Sequence, residues 1–504
     1  MRRYAPLAAL AMLGGCLEGP PLGSTRDAST DARSDLGAKL PDVTGVDIPA
    51  VRDGTVDAPA ADAPRMDVPS ADASDVPTPD APASLDAGAD AAVDAAADVP
   101  LDVPPDVVCS SGALNCDGRA DNGCEVDPRV DARNCGACRN VCAPGASCES
   151  GACVTRARPL AAGVAYACVL RPMGGAACWG DNAQGQLGDG ATTSRAAAAA
   201  VMGLTDAVEL AAGDAHTCAR LTDFTVSCWG ANAQGQLGDG TTTPRAAPTA
   251  VMGFADVAQV VAGASHTCAR RSGGAVLCWG ANAQGQLGDG TTMNQARPVA
   301  VVGLSDAAEI AVGGSSTCAR RANGTVLCWG ANKQGQLGDG TSTDRGAPTP
   351  VTGLTDAVEV VLGLTHGCAR REGGAVVCWG ANAQGQLGDN GSTAQRAPVA
   401  VVSLADAREL AAGARHTCAR RATGAVVCWG ANDRGQLGDT TTAQSSSPVA
   451  VDGLADAAAI TCGATSACAR VLTGGVFCWG GNERGQLGDG SMVNRTSRVA
   501  VMGL

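Results

Sequence analysis

The sequence predicts an all-β protein, a seven-bladed β-propeller of seven 50-residue repeats, preceded by a disordered stalk and a small disulfide-rich module. Three observations carry this expectation. The pair Trp-Gly recurs at Trp179, Trp229, Trp279, Trp329, Trp379, Trp429 and Trp479, always fifty residues apart, so residues 155–504 hold seven units with nothing left over. Each unit has four short apolar or alternating runs between turn signals; in the third they are VAQVVAG (257–263), HTCARR (266–271), AVLCWG (275–280) and PVAVVGL (298–304). Helix signals are few, and many units of four strands each are the pattern of propeller blades.

Residues 1–15 read as an export signal, with two arginines, an apolar stretch from Ala5 to Leu13 and then small residues. The ending Leu13-Gly14-Gly15-Cys16 resembles the lipobox of bacterial lipoproteins, which implies cleavage before Cys16 and lipidation of that cysteine; plain secretion is the other reading. The apolar stretch is too short to span a bilayer, and stable anchoring takes more than one acyl chain. An exported lipoprotein of the outer membrane or cell surface is therefore expected, with lipid as its only membrane contact.

Residues 16–108 follow as the linker. Positions 17–108 hold nineteen acidic and five basic residues, a net charge of -14 that equals the charge of the whole chain. Rich in Ala, Asp and Pro and without an aromatic residue, this segment cannot bury enough surface to offset its ordering entropy. As a flexible coil it would span about 50–60 Å.

Residues 109–154 carry Cys109, Cys116, Cys124, Cys135, Cys138, Cys142, Cys148 and Cys153. Eight cysteines in an exported segment with too few apolar residues for a core indicate a stapled module. Cys135-x2-Cys138 has the spacing that opens a zinc site, but the segment has no histidine; NCDGRADNGCEVD (115–127) loosely resembles a calcium loop and misses its spacing.

Each later unit carries two cysteines ten apart: Cys168 with Cys178, Cys218 with Cys228, Cys268 with Cys278, Cys318 with Cys328, Cys368 with Cys378, Cys418 with Cys428, and Cys468 with Cys478. If Cys268 faces Cys278, the hairpin closes through Ser272-Gly273-Gly274, whose last position favours left-handed glycine, and the facing pair lies within disulfide range. One cross-strand disulfide per blade follows. Phe224 stands where six units have glycine, which suggests another turn in the second hairpin. Cys462 is left over as a buried free thiol. The seven tryptophans should supply the large aromatic area between blades, since the chain has only three Phe and two Tyr.

The stretches GASHTCA (263–269) and GAVLCWGANAQGQLG (274–288) resemble the repeat of the regulator of chromosome condensation family, and the resemblance covers all seven units. It implies a seven-bladed β-propeller. It also implies a structural role for the histidine of GxxHT, found here as His216, His266, His366 and His416 with Tyr166, Ser316 and Ser466 in the other units. The family includes nuclear exchange factors, a plant ultraviolet photoreceptor and a secreted bacterial inhibitor of β-lactamases, so fold alone says little about activity. The photoreceptor's GWRHT has no counterpart in GDAHT (213–217), GASHT (263–267) or GARHT (413–417).

The glycine-rich loops could bind phosphate if one opened a helix, but seven copies in one ring point to shared turn geometry. Gly285, Gly288 and Gly290 then supply positive φ, and Asp289 with its equivalents an Asp-turn. No constellation of nucleophile and base stands out, and neither cofactor nor metal is expected. Twenty-five basic and twenty-five acidic residues in 155–504 argue against nucleic acid. The leading expectation is a monomeric, non-catalytic scaffold binding a protein or glycan through loops that differ between units, namely 291–297, 341–347, 390–397 and 441–447. Inhibition of a secreted enzyme such as a β-lactamase or protease, and a structural envelope spacer, are the alternatives. Ring closure is expected to use 497–504 as the strand missing from the first unit.

Overall fold

The computed structural model describes residues 159–504 except Phe254, together with Ala137 and the backbone of two short strands, Ser147–Glu149 and Ala152–Val154. The expectations for the signal, Cys16, the linker and most of the Cys-rich module lie outside the described residues. Within that module Cys148 and Cys153 are register partners of one small hairpin.

From Leu160 onward the chain folds into seven four-stranded antiparallel sheets, each made of four consecutive strands. Blade 3 shows the plan: Val257–Ala262, His266–Arg271, Val276–Gly280 and Gln295–Ala300. Blade 1 has the same strands at Leu160–Ala162, Tyr166–Leu170, Ala176–Gly180 and Arg195–Ala200, and blade 7 at Ala457–Cys462, Ser466–Val471, Val476–Gly480 and Arg495–Ala500. The first strand of each blade meets the first strands of both neighbours, including blade 7 against blade 1, so these strands surround the axis of a closed seven-bladed propeller.

Three sequence expectations need correction. The fourth strand runs over 295–300, ahead of the apolar run at 298–304. Val301 and Leu304 are apolar because they plug the turn that follows the strand, where both are buried, while the outer strand itself is half-exposed. Blade 1 keeps its own first strand and Arg495–Ala500 pairs with blade 7, so no strand is exchanged at closure. The short run Leu160–Ala162 supplies the strand that the alanine-rich sequence concealed. Finally, the second hairpin uses the same turn as the third. Phe224 adopts φ 66° and its N–H donates to Leu221 O, as Gly274 at φ 87° donates to Arg271 O.

The cysteines ten apart are register partners in every blade. All seven pairs are bonded: Cys168 to Cys178, Cys218 to Cys228, Cys268 to Cys278, Cys318 to Cys328, Cys368 to Cys378, Cys418 to Cys428, and Cys468 to Cys478, with Cα separations of 4.0–4.1 Å. Successive strand residues point to opposite faces, so the two neighbours in the Cys-Trp pair serve different interfaces. Trp279 packs on blade 2, against Cys218, Cys228 and Leu237. Cys278 packs toward blade 4, against Ile310 and Trp329. In the same way Cys318 and Cys328 of blade 4 lie under Trp379, and Cys368 and Cys378 of blade 5 under Trp429. Each indole therefore covers the disulfide of the blade before it. All seven indoles are fully buried.

Candidate binding surface

The glycine-rich loop is an inter-blade socket. Trp279 Nε1 donates to Gln236 O at 2.9 Å, and the same carbonyl accepts Thr267 Oγ1 at 2.8 Å. Gly238, at φ 70°, holds the loop under the indole; a Cβ there would lie 2.7 Å from Trp279 Nε1. Asn232 braces the loop from inside, its Oδ1 accepting Leu237 N and its Nδ2 donating to Asp239 Oδ1. Asp239 caps the turn by accepting Thr241 N at 2.9 Å and pairs with Arg245. These polar groups are occupied by the frame, so the loop's carboxylate has an internal task.

The histidines form a second set of inter-blade ties. Nε2 of His216, His266 and His366 meets the Thr267, Thr317 and Thr417 hydroxyl of the next blade at 2.9–3.0 Å. Tyr166 fills the same place in blade 1, its hydroxyl donating to His216 O at 2.5 Å and accepting from Thr217. Burial holds all four imidazoles neutral, lowering His216 and His366 to about 3 and His266 and His416 to about 4. Such groups are unsuited to proton transfer near neutral pH. Cys462 is the one free cysteine among the described residues; it is buried, and burial pushes its thiol well up.

A set of ion pairs that sequence reasoning missed ties the two innermost strands in four of the blades. Glu209–Arg220, Glu309–Arg320, Glu359–Arg370 and Glu409–Arg420 are ion pairs at 2.8–3.0 Å, each between the first two strands of one blade. Carboxylates of this set also tie to the next blade: Glu209 accepts Val260 N, Glu359 Leu410 N and Glu409 Ile460 N. Gln259 takes the carboxylate's place in blade 3 and exchanges two hydrogen bonds with Ile310. Its partner Arg270 has no acceptor at Nε and lies between the fields of Glu209 and Glu309. The available signal was Glu or Gln eleven residues before Arg in successive units. The innermost strands bound a cavity of about 320 Å³, walled by residues such as Ala211, Ala311 and Ala411 and by the ion pairs of blades 5 and 6 alone.

Variation is concentrated outside. Of the stretches 291–297, 341–347, 390–397 and 441–447 expected as loops, only the part before 295, 345, 395 and 445 joins third to fourth strand, the last three residues of each belonging to the fourth strand itself; Met293 in the first connection is 71% exposed. One further position distinguishes the blades. Met502, Met202, Met252 and Val302 are exposed on the consecutive blades 7, 1, 2 and 3, Val402 is half-buried in blade 5, and Thr352 and Asp452 stand there in blades 4 and 6.

The RCC1-like domain profile matches residues 176–502, well over half of the chain. The chain belongs to the RCC1-like domain family. Among solved structures, this RCC1-like ring resembles yeast RCC1 (Prp20) in its crystal structure with Kap60 at 20% identity and TM-score 0.59, covering 68% of this chain and 84% of that one. Prp20p from Saccharomyces cerevisiae, studied for its binding to Gsp1p and histones, aligns at 21% identity and TM-score 0.59 over 68% and 86% of the two chains. Human WBSCR16 aligns at 22% and TM-score 0.55 over 64% and 92%. At these identities the likeness is one of fold. No curated protein matches the chain in sequence.

Proposed function

We propose that the protein is an exported, lipid-anchored and non-catalytic RCC1-like scaffold that binds a protein through the exposed positions where its blades differ. The observation that carries this reading is the separation of roles within the repeat. Trp, Asn, Asp and disulfide positions recur and are consumed by the frame, while Met502, Met202, Met252 and Val302, on four consecutive blades, expose apolar side chains that the frame does not use. Apolar side chains grouped on a surface favour a protein partner over a glycan. The RCC1-like relatives from yeast bind proteins, which is compatible with such a role.

Capture from envelope extracts with the full chain and with a variant combining Met202→Thr, Met252→Thr and Met502→Thr tests the reading. Thr352 shows that the frame accepts threonine at this position. Loss of a discrete protein in the variant is the expected result; identical retrieval by both would remove the basis for these positions. A captured β-lactamase or protease whose activity falls on binding would direct the scaffold to enzyme inhibition. Cys16→Ser should move the chain from the membrane to the soluble fraction.

A further inference from the structure

In this ring, what stands at the histidine position of one blade predicts what stands one residue further on in the next. His216, His266 and His366 face Thr267, Thr317 and Thr417, and Tyr166 meets Thr217. Where the histidine is replaced, at Ser316 and Ser466, the next blade has no threonine but Gly367 and Ala167. His416 breaks this pairing: it is retained and fully buried, yet it faces Ala467. It is the one histidine of the four with neither ring nitrogen hydrogen-bonded.

The residue across the strand from Ala467 is Cys462. At the equivalent place the other complete first strands end in Ala212, Ala262, Val312, Leu362 and Ala412. One imidazole nitrogen of His416 and the sulfurs of Cys462 and Cys418 lie within 4.8 Å of one another. Equivalence with His366 directs Nε2 toward blade 7, while Gly413 backs the Nδ1 edge of the ring. Two departures from the repeat, a lost hydroxyl and a gained thiol, thus meet at one point.

We propose that Cys462 Sγ and His416 Nε2 bind a single Cu(I) ion. Metal–sulfur and metal–nitrogen bonds of about 2.3 and 2.0 Å would nearly span the gap between them. Cys418 is held in its disulfide with Cys428, so its sulfur can add only a weak third contact. Charge selects the ion. Binding exchanges the thiol proton for the metal and releases that proton to water, leaving a neutral complex of thiolate, imidazole and monovalent cation. A divalent ion would leave one net positive charge in a buried site with no carboxylate among its ligands, which costs several kcal/mol. Thiolate ligation also favours Cu(I) on grounds of softness. Cys462 borders the central cavity, which provides an entry path.

The test is anaerobic titration of the full chain, disulfides intact, with Cu(I) held by a competing chromogenic chelator. One equivalent should be lost in Cys462→Ala, a variant that restores the residue found at 212, 262 and 412. His416→Ser, with the residue of blades 4 and 7, should weaken that equivalent at least about tenfold, since even outer-shell partners of a metal commonly matter that much. His366→Ser should not. X-ray absorption should show both sulfur and imidazole at the copper. Equal Cu(I) uptake by wild type and Cys462→Ala would overturn the site, as would sulfur-only ligation. An equivalent of Zn(II) bound by wild type but not by Cys462→Ala would overturn the charge argument.

Discussion

Trp279 donates its indole N–H to Gln236 O at 2.9 Å across a blade boundary, and the ring rests where Gly238 has no side chain. The contact recurs at all seven boundaries, ending with Trp179 on Gln486 O at 2.9 Å. A loop that first suggests a ligand cradle is thereby occupied by the protein's own tryptophan.

Gly238→Ala should be markedly more damaging than Gly303→Ala. Both glycines have φ near 70°, but a Cβ meets Trp279 and Val251 at the first and nothing within 4 Å at the second. Left-handed strain alone costs about 1–2 kcal/mol, and overpacking adds about 1–3 kcal/mol. Urea unfolding of the two variants should therefore separate clearly; coincident curves would refute the socket.

Phe224→Gly should stabilise the chain by roughly 1 kcal/mol. Phe224 holds a left-handed conformation while its side chain is 46% exposed, so relief of strain outweighs the small loss of packing. A lower urea midpoint for this variant would show that the phenyl group contributes more than its exposure indicates.

Acid should weaken the ring through its histidines. Their folded pKa values of about 3–4 lie below the ordinary 6.5, so their contribution is complete above pH 6.5 and is lost as pH falls toward 3–4. With four such groups the slope approaches about 5 kcal/mol per pH unit near pH 5. Replacing all four by serine, the residue at 316 and 466, should reduce proton uptake on unfolding at pH 5 by about four. An unchanged pH dependence would mean that the imidazoles are not neutral and dry.

Ending the chain at residue 494 should leave blade 1's inner strands protected. The lost strand belongs to blade 7; its following turn bonds blade 1 at the outer edge, through Ala198 N to Met502 O at 3.1 Å and Arg171 to Gly503 O at 2.9 Å, while Val499 and Val501 pack on the cluster that holds Trp179 and leave blade 1's strand pairing untouched. Hydrogen exchange should rise in Val476–Gly480 and Arg195–Ala200. Faster exchange first at Leu160–Ala162 would instead indicate strand exchange.

Features with a fifty-residue period were legible in the sequence. The Trp-Gly spacing gave the blade count, and cysteines ten apart gave the hairpin register, because both depend on local strand alternation. The phase of the circle was less accessible, since a periodic string looks the same wherever it is cut and Leu160–Ala162 is short and alanine-rich. The turn at Phe224 was misjudged because the cysteine register fixes loop length and forces the conformation regardless of residue. Contacts between blades link residues 43 or 51 apart, as in Trp279 with Gln236 and His216 with Thr267, and no local pattern marks such pairs. The Cys462–His416 pair was hidden for the same reason.

Exchange of the seven indole N–H groups, followed by NMR on tryptophan-labelled protein, tests the closed ring most directly. Seven slowly exchanging signals are expected, with Trp179 as protected as the other six. Rapid exchange at Trp179 alone would mean that blades 7 and 1 do not meet and that the chain is an open spiral.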